Sequence, residues 1–480
     1  MGLPENYEIV IAVVIGLIEL IGILSAIDAV MKDRTAQGAI AWAISLITFP
    51  YVSVPLYWIF GRSKFHGYVK LRSSRDLEIR VVIEKLRQAF HDREIIDDIR
   101  NSDEQVLAQL ADMPMTCGNS ARLLINGEAT FDQIFERIAA AWKYILVQFY
   151  IVNDDNLGRR FQEALMKKAA AGVQVYFLYD EIGCHKLPGK YIDDLRESGV
   201  RVSPFLTTKG KANRFQINFR NHRKIVVVDG HAAFVGGHNV GDEYLGLDPH
   251  YGFWRDTHVC IQGPAVQGIQ CCFLEDWYWA TGMVVPELVW EPATSAGGNM
   301  RALVFATGPA DKLDTCGLMF IHAFNSARRR VWIASPYFVP DPPVINALQL
   351  AAMRGVEVRI LLPQKPDHRL VYWASFSYYE KTIPLGIKIY RYRKGFLHQK
   401  VFLVDDHLAA VGTANFDNRS FRLNFEITML FHDAIFAREV ERMLEDDFSA
   451  SRREAMVDLE KRPFWFRFLV RSARLLAPIL

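Results

Sequence analysis

The sequence predicts an α/β protein of two pseudo-symmetric halves, mixed sheets flanked by helices, behind a two-helix transmembrane anchor. Three observations carry this reading. Two long apolar runs open the chain, strand–helix–strand patterns recur with the same grammar, and one chemistry-bearing motif appears twice at a constant offset of 176 residues. The 480 residues suffice for two to four units at roughly 150 residues each. Lys+Arg number 56 against Asp+Glu 54, a net charge of +2, which argues against holding nucleic acid by bulk basicity. A chain this long buries a core without staples. Its six cysteines (117, 184, 260, 271, 272 and 316) show no C-x-x-C spacing, which sets aside a structural zinc site or a secreted disulfide scaffold.

The anchor comes first. Positions 9–30 read IVIAVVIGLIELIGILSAIDAV, interrupted by Glu19 and Asp28, and positions 39–60 read AIAWAISLITFPYVSVPLYWIF without a charge. At about 1.5 Å per residue each run reaches ~33 Å as a helix, enough for a ~30 Å hydrocarbon layer. Trp42, Tyr57 and Trp58 lie near the ends of the second run, as interfacial aromatics do, and Pro50 and Pro55 imply a kink. A signal peptide fits poorly, since Glu5 and Glu8 make the flank acidic and a second run follows. Glu19 reads as an inter-helix partner or a protonated structural group. Lys32 and Arg34 lie between the runs, whereas Arg62, Lys64, Lys70, Arg72 and Arg75 follow them. The positive-inside rule then favours both termini and the body on the cytoplasmic face.

The body alternates. A charged stretch, 74–112, reads as helical, and Thr130 caps a helix running to Trp142. YILVQFYIV (144–152) is a buried strand, 157–171 a helix stopped by Gly172, and VQVYFLYD (173–180) a strand. The grammar returns as VWIASPYFV (331–339), a helix over 343–354 stopped by Gly355, and VEVRILLP (356–363). Repeated units of this kind imply two halves with mostly parallel sheets. The chain therefore divides into a transmembrane hairpin (1–62), a juxtamembrane helical linker (63–120), a first half (121–290), a second half (291–460) and a basic amphipathic segment (461–480). In that last segment Arg467, Arg471 and Arg474 gather on one helical face, leaving Phe468, Leu469, Leu475 and Leu476 for the rest. Both an interfacial helix on anionic lipid and an ordinary packed terminal helix fit.

The repeated motif carries the chemistry. NHRKIVVVDGHAAFVGGHN supplies His222, Lys224, Asp229, Gly236, Gly237 and Asn239, and LHQKVFLVDDHLAAVGTAN supplies His398, Lys400, Asp405, Gly412, Thr413 and Asn415. The runs IVVV and VFLV read as core strands, and residues two apart on an extended chain face the same side, so each histidine points with its lysine. Imidazole, ammonium and side-chain amide together suit a phosphate anion, and the glycines leave room for a ligand. Two such imidazoles facing a phosphodiester divide the work: one attacks phosphorus, and the other protonates the leaving alcohol and then deprotonates the acceptor. The lysines supply the charge, so no metal or other cofactor is called for. Single elements of this pattern are common surface decoration; the whole pattern twice is not.

These residues resemble the phospholipase D superfamily, and FRNHRKIVVVDG, GDEYLG, WRDTHV, PYFVPD, VYWASFSYYE, GFLHQKVFLVDD and GTANFDNRSFRLNFEI resemble its bacterial cardiolipin synthases. The resemblance implies two phospholipase D-like halves and transfer of a phosphatidyl group between two phosphatidylglycerols, giving cardiolipin and glycerol. It implies a bacterial inner-membrane enzyme whose partners are phosphatidylglycerol, the cardiolipin product and anionic membrane lipid, not nucleic acid; whether it is a homo-oligomer is left open. His222 becomes the expected nucleophile and His398 the acid and base. Glu243 and Glu426 match acids expected to orient the histidines, and Asp229 and Asp405 to hold the site together. His238 departs from the pattern. His258, His322, His407 and His432 read as structural or exposed, and His368 and Tyr337 as weaker candidates for the pocket. Alternatives on the same scaffold are a phospholipase D-type hydrolase, another alcohol acceptor, a nuclease or a lipid-binding scaffold.

Overall fold

The computed structural model describes residues 5–32, 35–61, 102–205, 218–455 and 459–479, with isolated positions between 65 and 95. The expected helix over 74–112 lies largely outside the described residues; Ser102–Ala111 is helical. The chain forms two units, residues 1–70 with 207–219, and residues 71–206 with 220–480.

In the first unit the helix Glu5–Met31 contains one apolar stretch long enough to cross a membrane, Ile9–Met31. The second apolar run is not one helix. It divides into Ala36–Thr48 and Pro50–Phe60 at Phe49, whose φ of −134° and ψ of 57° are not helical. Pro50 is the cause: its ring has no N–H to donate and its Cδ crowds the preceding residue out of the α region. At about 1.5 Å per residue the 13-residue segment Ala36–Thr48 is too short to cross alone. Gly22 allows the segments to approach closely, since a Cβ there would stand 2.6 Å from the Leu46 carbonyl oxygen. Asp28 accepts a hydrogen bond from the Tyr57 hydroxyl at 2.6 Å, whereas Glu19 is exposed and has no partner among the described residues.

The second unit contains the two halves. In the first, parallel strands Tyr144–Phe149, Gln174–Asp180 and Arg201–Phe205 are extended by antiparallel Ile225–Val228, Ala232–Gly236 and Thr257–Gln262. The second repeats that order with Arg330–Ala334, Glu357–Pro363 and Lys388–Tyr392, then Val401–Val404, Leu408–Gly412 and Asn424–His432. Strands Thr116–Ile125 and Met300–Thr307 bridge the two sets into one continuous sheet. Helices Asn156–Ala170 and Pro342–Met353 end ahead of Gly172 and Gly355, which take φ of 88° and 87°, conformations that cost glycine little. Two corrections are local. The helix expected to begin at Thr130 spans Asn126–Ala140, with the Thr130 hydroxyl donating back to the Asn126 carbonyl at 2.8 Å. The run 331–339 breaks after Ala334, and Phe338–Val339 pairs separately with Phe416–Asp417, because Pro336 has no ladder donor.

Asp229 and Asp405 sit at the far ends of the motif strands. Both adopt positive φ, 52° and 50°. The Asp229 carboxylate accepts the backbone N–H groups of Trp142, Lys143 and Tyr144 at 2.8–3.0 Å, and Asp405 those of Arg328, Arg329 and Arg330 at 2.7–3.0 Å. Each ties the start of the neighbouring parallel strand to its own hairpin. Replacing either by Ala leaves three backbone N–H donors without their acceptor and a strained backbone, so Asp229→Ala and Asp405→Ala should each destabilise by about 2–4 kcal/mol. Thermal unfolding of the detergent-solubilised chain measures this; an unchanged midpoint would remove the clamp.

Candidate active site

Each motif histidine is placed by a short piece of parallel pairing between the halves. Arg220–Asn221 pairs with Asn424–Phe425, and Phe396–Leu397 pairs with Trp254–Arg255. One residue further along, each pair presents a histidine beside a carboxylate. The His222 N–H donates to the Phe425 carbonyl at 2.9 Å and the His398 N–H to the Arg255 carbonyl at 2.8 Å. The side chains follow. His222 Nδ1 stands 2.9 Å from Glu426 Oε2, and His398 Nδ1 stands 2.7 Å from Asp256 Oδ2. Each imidazole therefore takes its carboxylate from the other half of the chain.

The motifs also touch directly, because the Thr413 carbonyl oxygen lies 3.1 Å from His222 Nδ1. Glu426 is fully buried and accepts further hydrogen bonds from Thr413 Oγ1 (2.6 Å), Ser420 Oγ (2.8 Å) and Asn424 Nδ2 (3.1 Å). At the equivalent place in the first half, a Cβ on Gly237 would meet Asp256 Oδ1 at 2.0 Å. Gly237 and Thr413, expected to meet substrate, thus accommodate the two acids. The Asn239 amide is engaged as well, accepting from the Ile151 N–H at 3.1 Å and donating to the Tyr244 hydroxyl at 2.9 Å. Asn415 differs: its buried Oδ1 has no partner among the described residues.

The lysines lie against their own histidines. Lys224 Nζ donates to the His222 carbonyl at 2.7 Å; Lys400 Nζ donates to the His398 carbonyl and stands 2.8 Å from His398 Nδ1. Burial lowers Lys224 to about 7 and Lys400 to about 8, although Glu426 and Asp256 pull both the other way. Burial likewise lowers His222, and with Lys400 beside it lowers His398 to about 4. Burial raises the Asp256 and Glu426 carboxyls, but Lys400 and His238 at the former, and His222 and Lys224 at the latter, more than offset it and leave both depressed. The resting state is thus an ionised carboxylate holding a neutral imidazole through Nδ1–H, which leaves the Nε2 lone pair free. Among the described residues neither Nε2 has a hydrogen-bond partner, and the two side chains stay 10% and 11% exposed. Tyr150 and Trp254 pack on the imidazoles, ring centroids 5.0 and 5.1 Å away.

Behind them lie two buried ion pairs. Arg223 meets Asp276 at 2.8 Å and Arg255 meets Asp447 at 2.7 Å; Gln399, which occupies the place of Arg223 in the second motif, donates to Asp447 at 2.7 Å.

Glu243 does not reach a histidine. Its carboxylate accepts from Asn153 Nδ2 at 2.9 Å; the first-half carboxylate in contact with a motif histidine is Asp256. The signal for Asp256 lay in strand register. Gly236 pairs with His258 and Gly412 with Thr428, so Asp256 and Glu426 each stand two residues before the partner of the motif glycine. His238 is buried with Nδ1 3.3 Å from that of His258, and burial lowers it to about 4. His322 and His432 meet the Asp103 carbonyl and the Glu104 carboxylate. Tyr337 donates to Asp367 at 2.6 Å in a cleft that His368 also lines.

The chain is similar to known proteins. The family model described as cardiolipin synthase, phospholipase D-like domain, matches residues 134–277 and 320–448, and one described as phospholipase D–nuclease N-terminal matches 20–62. Cardiolipin synthase A of Pseudomonas entomophila is 49% identical over 97% of this chain and 98% of its own length. That of Pseudomonas aeruginosa is 50% identical over 96% and 95%. The chain belongs to the cardiolipin synthase family. Its fold also matches phosphatidylserine synthase of Haemophilus influenzae, with a TM-score of 0.59 at 16% identity over 79% of this chain and 100% of that one. As a cardiolipin synthase-family chain with an apolar helix over Ile9–Met31, it is a membrane protein.

The crossed contacts make a ranking that sequence position alone does not. Asp256→Asn and Glu426→Gln should each lower kcat by about 10²–10⁴-fold, the range seen when a histidine loses its orienting acid. Glu243→Gln should stay within a few-fold of the parent. Turnover of phosphatidylglycerol by the purified variants measures all three, and the reverse ranking would discard the crossed pairs.

Proposed function

We propose that the protein moves a phosphatidyl group from one phosphatidylglycerol to the glycerol hydroxyl of a second, giving cardiolipin and free glycerol. The observation that carries this reading is the pair of crossed imidazole–carboxylate contacts, with both Nε2 atoms open and two buried lysines beside them. A phosphodiester entering between the imidazoles brings a negative charge, which raises the affinity of lysines and histidines for protons. One Nε2 then attacks phosphorus. The P–O bond to glycerol breaks as the other imidazole, protonated, gives its proton to the departing oxygen, leaving a phosphatidyl-histidine. That second imidazole next takes the proton of the acceptor hydroxyl, whose oxygen attacks phosphorus and expels the first histidine unchanged. Lys224 and Lys400 hold the phosphoryl oxygens throughout.

His222 is the nucleophile in this reading and His398 the acid and base, following the family's pattern. Names of the relatives support the transfer over hydrolysis. For the membrane, we read a multi-pass anchor in the bacterial inner membrane with the body on the cytoplasmic face, supported by Arg62, Lys64, Lys70, Arg72 and Arg75 after the second apolar run.

Purified enzyme given phosphatidylglycerol alone should release glycerol and form a lipid with two phosphates; phosphatidic acid as sole product would overturn the transfer. His222→Ala and His398→Ala should each abolish turnover, and mass spectrometry of a single turnover should find the phosphatidyl group on His222. The pH dependence has a defined sign. Lys224 and Lys400 lose their protons near 7 and 8, and both must be charged to hold the phosphate. Because kcat/KM reports the free enzyme, it should fall as pH rises through that window; a profile that holds level well above it would contradict the assignment.

A further inference from the structure

The last helix, Phe464–Leu475, is fastened on one side and open on the other. Val470 and Ala473 are buried, 0% and 2% exposed. They dock on the helix Arg369–Thr382, where the Phe466 and Phe376 rings lie 5.5 Å apart, Arg474 stands 5.8 Å over the Tyr378 ring and Arg471 stands 3.7 Å from Glu380. The opposite side carries Phe464, Trp465, Phe468 and Leu475, exposed by 74, 65, 63 and 81%. A soluble surface does not hold four large apolar side chains on one face of a 12-residue helix without a partner. Charge identifies that partner's sign, because positions 461–480 contain five cations and no acid.

We propose that this apolar face inserts into the surface of an anionic bilayer and holds the reaction cleft at the level of the lipid headgroups. Aromatic side chains above a row of arginines are the composition of an interfacial helix, with rings at the acyl boundary and cations among the phosphates. The helix it packs on, Arg369–Thr382, contributes Val371, Tyr372 and Ser375 to a pocket that Tyr337, Asp367 and His368 also line. The motif histidines do not line that pocket; the charge of Asp367 links it to His398 and Lys400. A terminal helix embedded in the bilayer and packed on Arg369–Thr382 sets the depth from which a lipid headgroup approaches the site. The inference deepens the lipid-substrate reading above, yet its first test needs no reaction.

Five of the six cysteines are buried and Cys117 is partly so, so a new surface thiol can be labelled selectively. The full chain carrying Phe468→Cys with a fluorescent label is placed in phosphatidylcholine–phosphatidylglycerol vesicles with brominated acyl chains, beside a control label at Lys190→Cys, an exposed position. The label at 468 should be quenched several-fold more than the control. Equal quenching overturns the proposal, and so does an apolar emission that bromine does not quench, which would mean a second protein copy covers the face. In the second arm, Trp465→Ser with Phe468→Ser should raise KM for vesicle phosphatidylglycerol by about tenfold and leave turnover of a monomeric short-chain phosphatidylglycerol within about twofold. Equal loss on both substrates would make the helix a packing element only and end the proposal. Quenching without cardiolipin formation from either substrate would remove the transferase reading and leave the insertion standing.

Discussion

Two short parallel pairings, Arg220–Asn221 with Asn424–Phe425 and Phe396–Leu397 with Trp254–Arg255, are what the rest of the site depends on. Each ends one residue before a histidine on one strand and an acid on the other. A parallel register fixes which residues lie side by side, so the backbone chooses the carboxylate for each imidazole before any side chain rotates. Because the acids are exchanged between halves, neither half contains a complete imidazole–carboxylate pair. A single copy would have a histidine without its acid and an acid buried without its histidine. Duplication here is a structural requirement of the site as well as a trace of how the sequence repeats.

That exchange also explains how so much charge is buried. Lys224, Lys400, Arg223 and Arg255 face Glu426, Asp256, Asp276 and Asp447, four cations against four anions, all buried. An isolated buried ion is costly, and removing one partner leaves the other uncompensated. The arrangement is neutral with both histidines neutral, in keeping with the depression of His222 and His398 by burial. A phosphodiester adds the one negative charge that this set lacks a partner for. Protonation of one imidazole is the response that restores balance, and it supplies the proton that a leaving alcohol needs.

Much of this was legible in the sequence, and the places where it was not have physical reasons. His222, Lys224, Asp229 and Asn239 repeat at the same offset as their second-half partners, since the hairpin between them has the same length twice. The acids do not keep that offset: Glu426 follows Asp256 by 170 residues, because the connection from motif to acid is six residues shorter in the second half. Glu243, expected from the family resemblance, stands 183 residues before Glu426 and does not keep the offset either, whereas counting across the sheet from Gly236 and Gly412 finds Asp256. Asp229 and Asp405 were read as holding the site together; the positive φ each adopts is invisible to motif spacing. The division of the second apolar run at Phe49 was written in Pro50, whose missing N–H outweighs an apolar pattern that composition treats as continuous.

The two half-sites are not equivalent, and the difference bears on how they divide the work. Glu426 is fixed by three donors besides His222, so the Nδ1–H of His222 has a rigid acceptor and its Nε2 a fixed direction. Among the described residues no hydroxyl donates to Asp256, which accepts the Thr257 N–H at 2.8 Å, and Gly237 stands where Thr413 does. Lys400, in turn, crowds His398 Nδ1 at 2.8 Å, and its charge is the largest cause after burial that keeps His398 unprotonated. A phosphoryl oxygen that draws the Lys400 ammonium toward itself weakens that opposition while the oxygen's own charge favours a proton. In the proposed reaction His398 would then gain its proton when substrate is bound and give it up when the ammonium returns. A rigid imidazole suits attack on phosphorus, where direction matters most, and one whose proton affinity follows the substrate suits the transfer of protons to and from the alcohols.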